Sequence, residues 1–250
     1  MSSLPGQART GSSAAEHPSV PLAAGFPPAE IERLSACLAR LLPNLRENDV
    51  AITGGVAIQI GMAQLGREGS REAIADLDMV ADSLGAVSAN VVEDFLVSHY
   101  HVVQPGVPKF LVQLVDPVTR IRVDIFPDLV GSLVRSRRVN IGSHLTRMLA
   151  LDDIFEHKLL TMSKASPINP IDPKHLDDAE ALGKVLQRST PAVAHGSLVK
   201  DVYGADADLG CRRCELSRSA DFPLVPKNEI FELLGWTDAP GLGKTVAPIA

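Results

Sequence analysis

Residues 74–81 read Ile-Ala-Asp-Leu-Asp-Met-Val-Ala, an apolar stretch that carries two aspartates, Asp76 and Asp78. A short apolar run of this length with alternating polar positions predicts a β-strand. Side chains two residues apart on a strand leave the same face, with Cα atoms roughly 6.5–7 Å apart. We therefore expect the two carboxylates to lie side by side on one face of a sheet.

A third aspartate, Asp124, lies on a later predicted strand. The sequence predicts a hairpin of strands 110–115 and 120–126, joined by the Asp-Pro-Val-Thr connection 116–119. An Asp-Pro pair indicates a turn because proline presets φ. Asp124 alternates out of phase with its apolar neighbours, so it shares a face with the first two aspartates if this strand lies beside 74–81.

Three carboxylates on one sheet face point to a metal site. They repel one another, and their joint loss of hydration is unfavourable. A divalent cation removes that conflict, and all-oxygen ligation suits Mg²⁺ or Mn²⁺. The sequence therefore predicts that Asp76, Asp78 and Asp124 are metal ligands.

A glycine pair, Gly54-Gly55, lies upstream between a predicted strand over 49–53 and a predicted helix that ends near Leu65. Exposed N–H groups at the start of a helix, together with its positive end, can hold phosphate oxygens. A Cβ at this position would keep a phosphate away from the backbone. The pair is therefore a candidate phosphate-binding turn.

This order of features resembles the DNA-polymerase-β-type nucleotidyltransferase core. It is most similar to the AbiEii/AbiGii toxin-like group of that superfamily. The resemblance implies that Gly54, Gly55, Asp76 and Asp78 hold a nucleoside triphosphate and its metal ions. It also implies that Asp124 completes a two-metal site and helps to activate an acceptor hydroxyl.

The resemblance covers roughly residues 30–188. Within it, the stretch 149–160 looks like the family's helix with a nucleotide-facing lysine, which is Lys158 here. The Lys-His-Leu-Asp-Asp stretch, 174–178, resembles the family's closing basic-then-acidic motif, with its acidic residue at Asp177 or Asp178. The helix-face position of these two acids also fits ordinary solvent exposure.

Two departures from the family pattern concern the substrate more than the fold. Many members have Gly-Ser where this chain has Gly54-Gly55, so a hydroxyl contact is missing. The family's arginine-serine pair before the first aspartate is matched only loosely, by Arg71 after Ser70.

Composition bounds the class of protein. The chain has 250 residues, 45% of them hydrophobic, which suffices for one domain of typical size with a smaller appendage. A net charge of −6 argues against an extended nonspecific contact with nucleic acid. No apolar run is long enough for a membrane span, no secretion signal is recognisable, and the three cysteines do not suggest a disulfide framework. We expect a cytoplasmic protein without a membrane partner.

The alternation of strand and helix patterns predicts an α/β (α+β) fold. We expect a nucleotidyltransferase-type mixed sheet with flanking helices, followed by a helical C-terminal part. The predicted segments are a disordered tail over 1–28, a core over 29–135, a helical part over 136–190 that completes the nucleotide site, and an irregular extension over 191–250.

Three other groups attract attention but have ordinary structural explanations. Their spacings resemble half a zinc site, a pair of strand imidazoles and a basic patch that could meet nucleic acid. Reduced thiols, exposed imidazoles and a solvated surface explain them equally simply. These groups are Cys211 with Cys214, His99 with His101, and Arg135 with Arg137 and Arg138.

The functional expectation is a Mg²⁺-dependent enzyme that moves a nucleoside monophosphate from a nucleoside triphosphate to a hydroxyl acceptor. The resemblance implies tRNA, a protein or a small molecule as acceptor, and it raises a toxin role with an antitoxin partner. The alternative is a non-catalytic module that binds nucleotide or a partner. No motif of a serine hydrolase, zinc protease or dinucleotide-dependent dehydrogenase is present.

Overall fold

The structure is a computed structural model that describes residues 25–67, 72–102, 110–166, 171–193 and 198. Almost all of the predicted tail and the predicted extension, including Cys211 and Cys214, lies outside these ranges. Ser70 and Arg71 lie outside them as well. Within the described ranges, no helix combines the length and apolar character needed to cross a lipid bilayer.

The described chain alternates between helices and strands. Its helices are α1 (Pro28–Leu41), α2 (Gly54–Gln64), α3 (Val91–Asp94), α4 (Leu151–Ser163) and α5 (Lys174–Leu186). Its strands are β1 (Val50–Thr53), β2 (Asp76–Ala81), β3 (Leu96–Val102), β4 (Phe110–Val115), β5 (Arg122–Pro127), β6 (Arg137–Ile141) and β7 (His144–Met148).

The described strands form one mixed sheet in the order β3-β4-β5-β2-β1-β7-β6. Strands β2 and β5 pair in parallel, as do β1 and β7, and the other neighbours are antiparallel. The predicted α/β fold, a mixed sheet with flanking helices, is confirmed.

Helix α2 is the central helix of the fold. Apart from Met62 and Gln64 all its residues are buried, which is typical of a helix covered on every side. It packs against β1 and β2 on the sheet and against α4 and α5. Gly61 allows α4 to approach closely, since a Cβ there would overlap the side chain of Leu151. This packing fixes the N-terminus of α2 relative to the sheet.

The turn between β4 and β5 forms as the Asp-Pro signal predicts. Asp116 is fully buried and accepts hydrogen bonds from the Val118 amide at 3.0 Å and the Thr119 hydroxyl at 2.7 Å. Arg40 of α1 forms an ion pair with the same carboxylate at 3.1 Å. These contacts fix the hairpin that carries Asp124.

Asp82-Ser83 is a plausible N-cap in the sequence and predicts a helix from there to about Val97, but this prediction is wrong. The segment contains a 3₁₀ turn (Leu84–Ala86), the single helical turn α3 and then β3. Its backbone bonds to the loop before β1: the Arg46 amide donates to the Ala86 carbonyl, and the Ser88 amide donates to the Asn44 carbonyl. These tertiary hydrogen bonds replace the helical ones.

The predicted helical part over 136–190 begins with two strands in the structure. Residues 137–148 form the β6–β7 hairpin, and β7 extends the sheet because Met148 pairs with Ile52 of β1. In the sequence, strand character after Pro127 is limited to a few residues near Val139 and Leu145, and strands this short depend on pairing with their neighbours rather than on a local pattern. Apolar spacing in the sequence predicts helices over 151–163 and 176–186, and helices α4 and α5 lie at or close to these positions.

Candidate active site

The parallel pairing of β2 and β5 places the three aspartates together. Asp78 is the register partner of Asp124, and Asp76 is the register partner of Arg122. Register partners on adjacent strands direct their side chains to one face, as do residues two apart on the same strand. The predicted shared face for Asp76, Asp78 and Asp124 is therefore confirmed, while their roles stay predictions.

A polar row crosses four strands at this level of the sheet. Thr53 of β1 pairs with Asp78, Asp78 with Asp124, and Asp124 with Gln113 of β4. Thr53 and Asp124 are buried, and the Gln113 side chain hydrogen-bonds to Asp124. Thr53 and Gln113 cannot be recognised as site residues from the sequence, because only the register of strand pairing brings them to the aspartates.

Gly54 places the start of α2 against Asp78. Its φ of +62° is in the left-handed region, which favours glycine. A Cβ at Gly54 would overlap the carboxylate of Asp78. The glycine was expected to allow the approach of a phosphate, but in the structure the group that requires the space is Asp78.

Arg122, like Thr53 and Gln113, belongs to this face but was not among the site residues expected from the sequence. Its Nη2 lies 2.8 Å from Asp76 Oδ2, and its Nε lies 3.1 Å from Asp124 Oδ1. Burial is the largest influence on Asp124 and raises the pKa of its carboxyl, while the guanidinium acts in the opposite direction. The sequence did contain a signal for it: Arg122 is two residues from Asp124 on one predicted strand, so both side chains are expected on the same face.

Of the three aspartates, Asp78 has the surroundings least favourable to a charged carboxylate. Burial, followed by repulsion from Asp76 and Asp124, raises the pKa of the Asp78 carboxyl to about 7. Lys158 of α4 and Lys174 of α5 have the opposite effect and lower the pKa of Asp78. The face therefore lacks positive charge at Asp78, although Arg122 forms ion pairs with the two neighbouring carboxylates.

The donors of this face fit a hard divalent cation. They are carboxylate oxygens, the ligands that Mg²⁺ and Mn²⁺ prefer. One of them, Asp124 Oδ1, is buried and has no hydrogen-bond partner. Within the described ranges, no three His, Cys, Asp or Glu side chains are already gathered as a metal ligand set. Ligation by all three aspartates would thus require Arg122 to release Asp76 and Asp124.

Lys158 is held on the side of the site formed by α4 and α5. Its Nζ donates to Asp178 Oδ2 at 2.8 Å and to His175 Nδ1 at 3.2 Å. Burial, and then Lys158, lowers the pKa of His175 to about 4, which keeps the ring neutral and able to accept. The side chains of Lys158 and Asp178 are only 12% and 14% exposed, so neither is a solvated surface group. Asp177 is exposed, as the sequence analysis allowed.

Of the remaining candidate groups, the three arginines have partners in the structure, whereas the cysteine pair and the two histidine side chains lie outside the part of the chain that the structure describes. Arg135 bonds to Asp153, and Arg138 forms an ion pair with Glu47 at 3.0 Å. Arg137 bonds to Gln64. His99 and His101 are on β3, where only the backbone is described. The basic patch is thus engaged with neighbouring side chains.

No family model and no curated protein matches this chain. Among solved structures, it is similar to a suggested nucleotidyltransferase from Thermotoga maritima, at 17% identity over 70% of this chain and 99% of that chain, with a TM-score of 0.39. A nucleotidyltransferase-like antigen of Paracoccidioides brasiliensis matches at 16% identity over 81% and 97%, with a TM-score of 0.37. ANT(2'')-Ia in complex with adenylyl-2''-tobramycin matches at 19% identity over 62% and 87%, also with a TM-score of 0.37. All three are distant likenesses, and the first two proteins are named for nucleotidyl transfer.

Proposed function

We propose that the chain is a Mg²⁺-dependent nucleotidyltransferase that moves a nucleoside monophosphate from a nucleoside triphosphate to a hydroxyl acceptor. The observation that carries the proposal is the single face on which Asp76, Asp78 and Asp124 lie, next to the start of α2 at Gly54. Mutual repulsion in a largely buried position is unfavourable unless a cation compensates for it. Proteins retain such clusters at functional sites.

In this proposal, Asp76, Asp78 and Asp124 would hold the metal ions. The ions would supply charge neutralisation at the phosphates and a lower pKa for the attacking hydroxyl. Gly54 and Gly55 would present the first N–H groups of α2 to the phosphate oxygens. Lys158 would add a positive charge on the opposite side of the triphosphate.

Lys158 allows a prediction of its own. Lys158→Met is expected to weaken triphosphate binding about tenfold, because a hydrogen bond to a charged group contributes about 1.5 kcal/mol or more. Equilibrium binding of a fluorescent triphosphate in the presence of Mg²⁺ measures the effect. The matched control is Lys184→Met. It removes an exposed lysine from the last turn of α5, the helix that also carries Asp178, the ion-pair partner of Lys158. Equal binding by the two variants would exclude Lys158 from the nucleotide site.

The activity itself is tested with α-phosphorus-labelled triphosphates, supplied singly with Mg²⁺ and with three acceptors: tRNA, cellular protein and an aminoglycoside. We expect label on one acceptor class and one equivalent of pyrophosphate released, both abolished by EDTA. Binding that requires Mg²⁺ but releases no pyrophosphate would instead identify the non-catalytic nucleotide-binding module. No binding of any triphosphate would contradict both.

We extend the proposal to the toxin-type group and to an antitoxin partner, on the basis of the Gly-Gly, Asp-Leu-Asp and Val-Asp-Ile motifs. Growth of a bacterial host that expresses the chain is the corresponding readout. A toxin is expected to arrest growth, and its Asp124→Asn variant is expected to restore growth at equal protein level. Unaffected growth with the unmodified chain would contradict the toxin role but not the proposed enzyme activity.

A further inference from the structure

We propose that Arg122 is the resident counter-cation of the carboxylate face: it stabilises the metal-free protein and limits the affinity of the site for a divalent cation. The inference rests on the proposed function, because it assigns Asp76 and Asp124 as metal ligands. It adds a role for a residue that no motif of the sequence singled out.

The geometry supports a bridging role. The Arg122 guanidinium contacts carboxylates on two different strands through two different nitrogen atoms, Nη2 to Asp76 and Nε to Asp124. All three residues lie on one face, by the register of β2 and β5. A single positive charge thus contacts two of the three carboxylates and leaves the face with a net negative charge.

The contact with Asp124 is incomplete. Arg122 Nε and Asp124 Oδ1 are 3.1 Å apart, yet both are buried and neither has a hydrogen-bond partner. The interaction is therefore mainly electrostatic, without the alignment that makes charge-assisted hydrogen bonds strong. A divalent cation that binds the same oxygen would satisfy it better.

The Arg122 side chain can also move away from the carboxylates into solvent. Its side chain is 41% exposed, whereas those of Asp76 and Asp124 are 17% and 11% exposed. A long arginine side chain can turn its charged end into solvent. The aspartates, in contrast, are attached to paired central strands. The metal ligands therefore stay in place when the guanidinium leaves.

Two opposing effects of removing Arg122 can be ranked. Loss of a like charge next to the cation strengthens metal binding, because charges a few ångströms apart interact appreciably even at a high effective dielectric constant. Loss of a positioning contact weakens it. The backbone of β2 and β5 already positions the carboxylates, so the charge effect is the larger one.

The experiment compares the full chain with its Arg122→Met, Arg122→Lys and Arg138→Met variants. Arg138 is the matched control, because its side chain is also 41% exposed and its ion pair with Glu47 is remote from the aspartates in the sheet order. Mn²⁺ affinity is measured by calorimetry, and thermal unfolding is measured with EDTA and with Mn²⁺.

We expect Arg122→Met to bind Mn²⁺ about tenfold more tightly and to unfold at a lower temperature in EDTA. Arg122→Lys keeps the charge and is expected to bind as the unmodified chain does, as is Arg138→Met. If Arg122→Met does not fold without metal, Arg122→Gln replaces it in the comparison with Arg122→Lys.

The outcomes separate the two proposals. Mn²⁺ binding by the unmodified chain, with equal or weaker binding by Arg122→Met or Arg122→Gln, would overturn the role of Arg122 and leave the metal site intact. Absence of Mn²⁺ binding and of any Mn²⁺-dependent rise in unfolding temperature, in every variant, would overturn the metal site and with it the inference.

Discussion

An Asp78→Asn variant is expected to catalyse nucleotidyl transfer about a thousandfold more slowly than the unmodified chain, or more slowly still. The substitution keeps the shape of the side chain and removes the charge that would bind the metal. A thousandfold loss corresponds to about 4 kcal/mol of transition-state stabilisation, which is within the range that metal ions supply. Steady-state transfer to the identified acceptor, at saturating triphosphate and Mg²⁺, measures the loss.

The same substitution is expected to stabilise the metal-free protein at neutral and higher pH. The pKa of Asp78 is raised from its ordinary value of 3.8 to about 7 in the folded state. Ionisation of this group therefore opposes folding: stability falls as pH rises above about 4, and the loss is complete above about pH 7. Asparagine does not ionise, so the variant avoids a loss of about 4 kcal/mol.

Thermal unfolding in EDTA between pH 4 and pH 8.5 tests this expectation. The two proteins should unfold at similar temperatures near pH 4, and the variant at the higher temperature above pH 7. Mg²⁺ should reverse the order at pH 8, because only the original carboxylate binds it fully. The control is Asp82→Asn, an exposed acid immediately after β2, which should change neither property. A variant that is less stable at pH 8 in EDTA would contradict the electrostatic account of this face.

Gly54→Ala is expected to have the largest effect on stability of any small substitution at the site. Alanine at φ +62° costs about 1–2 kcal/mol, and the overlap of its Cβ with the Asp78 carboxylate adds about 1–3 kcal/mol. The variant should also lose transfer activity, because the strain is relieved by moving either Asp78 or the start of α2. Urea unfolding measures the loss of stability.

Gly66→Ala separates the two contributions. Gly66 has a similar φ of +68°, but a Cβ there would meet no atom within 4 Å. This control should show the conformational cost alone and keep full activity. The excess in Gly54→Ala then reports the overlap with Asp78, and an Asp78→Gly change in the same chain should recover part of it. Equal losses for the two glycines would show that Asp78 does not require Gly54.

Local features of the site could be predicted because they depend only on neighbouring residues. Alternation along 74–81 placed Asp76 and Asp78 on one face, and proline in the 116–119 connection indicated the turn of the hairpin that carries Asp124. The glycine pair marked the start of α2, and the apolar spacing over 151–163 indicated α4. Each of these follows from side-chain direction or from a preferred φ, which are properties of a short segment.

The sequence alone therefore determined four of the described strands (β1, β2, β4 and β5), most of the described helices and the three aspartates as a candidate group. Only the tertiary structure decided that Asp78 stands opposite Asp124, that Arg122 bridges Asp76 and Asp124, and that 137–148 joins the sheet. Pairing and register arise between segments far apart in the chain, where burial and hydrogen bonds outweigh local preference. The charge balance of the carboxylate face depends on that register, because a shift of one residue would move Asp124 to the opposite face.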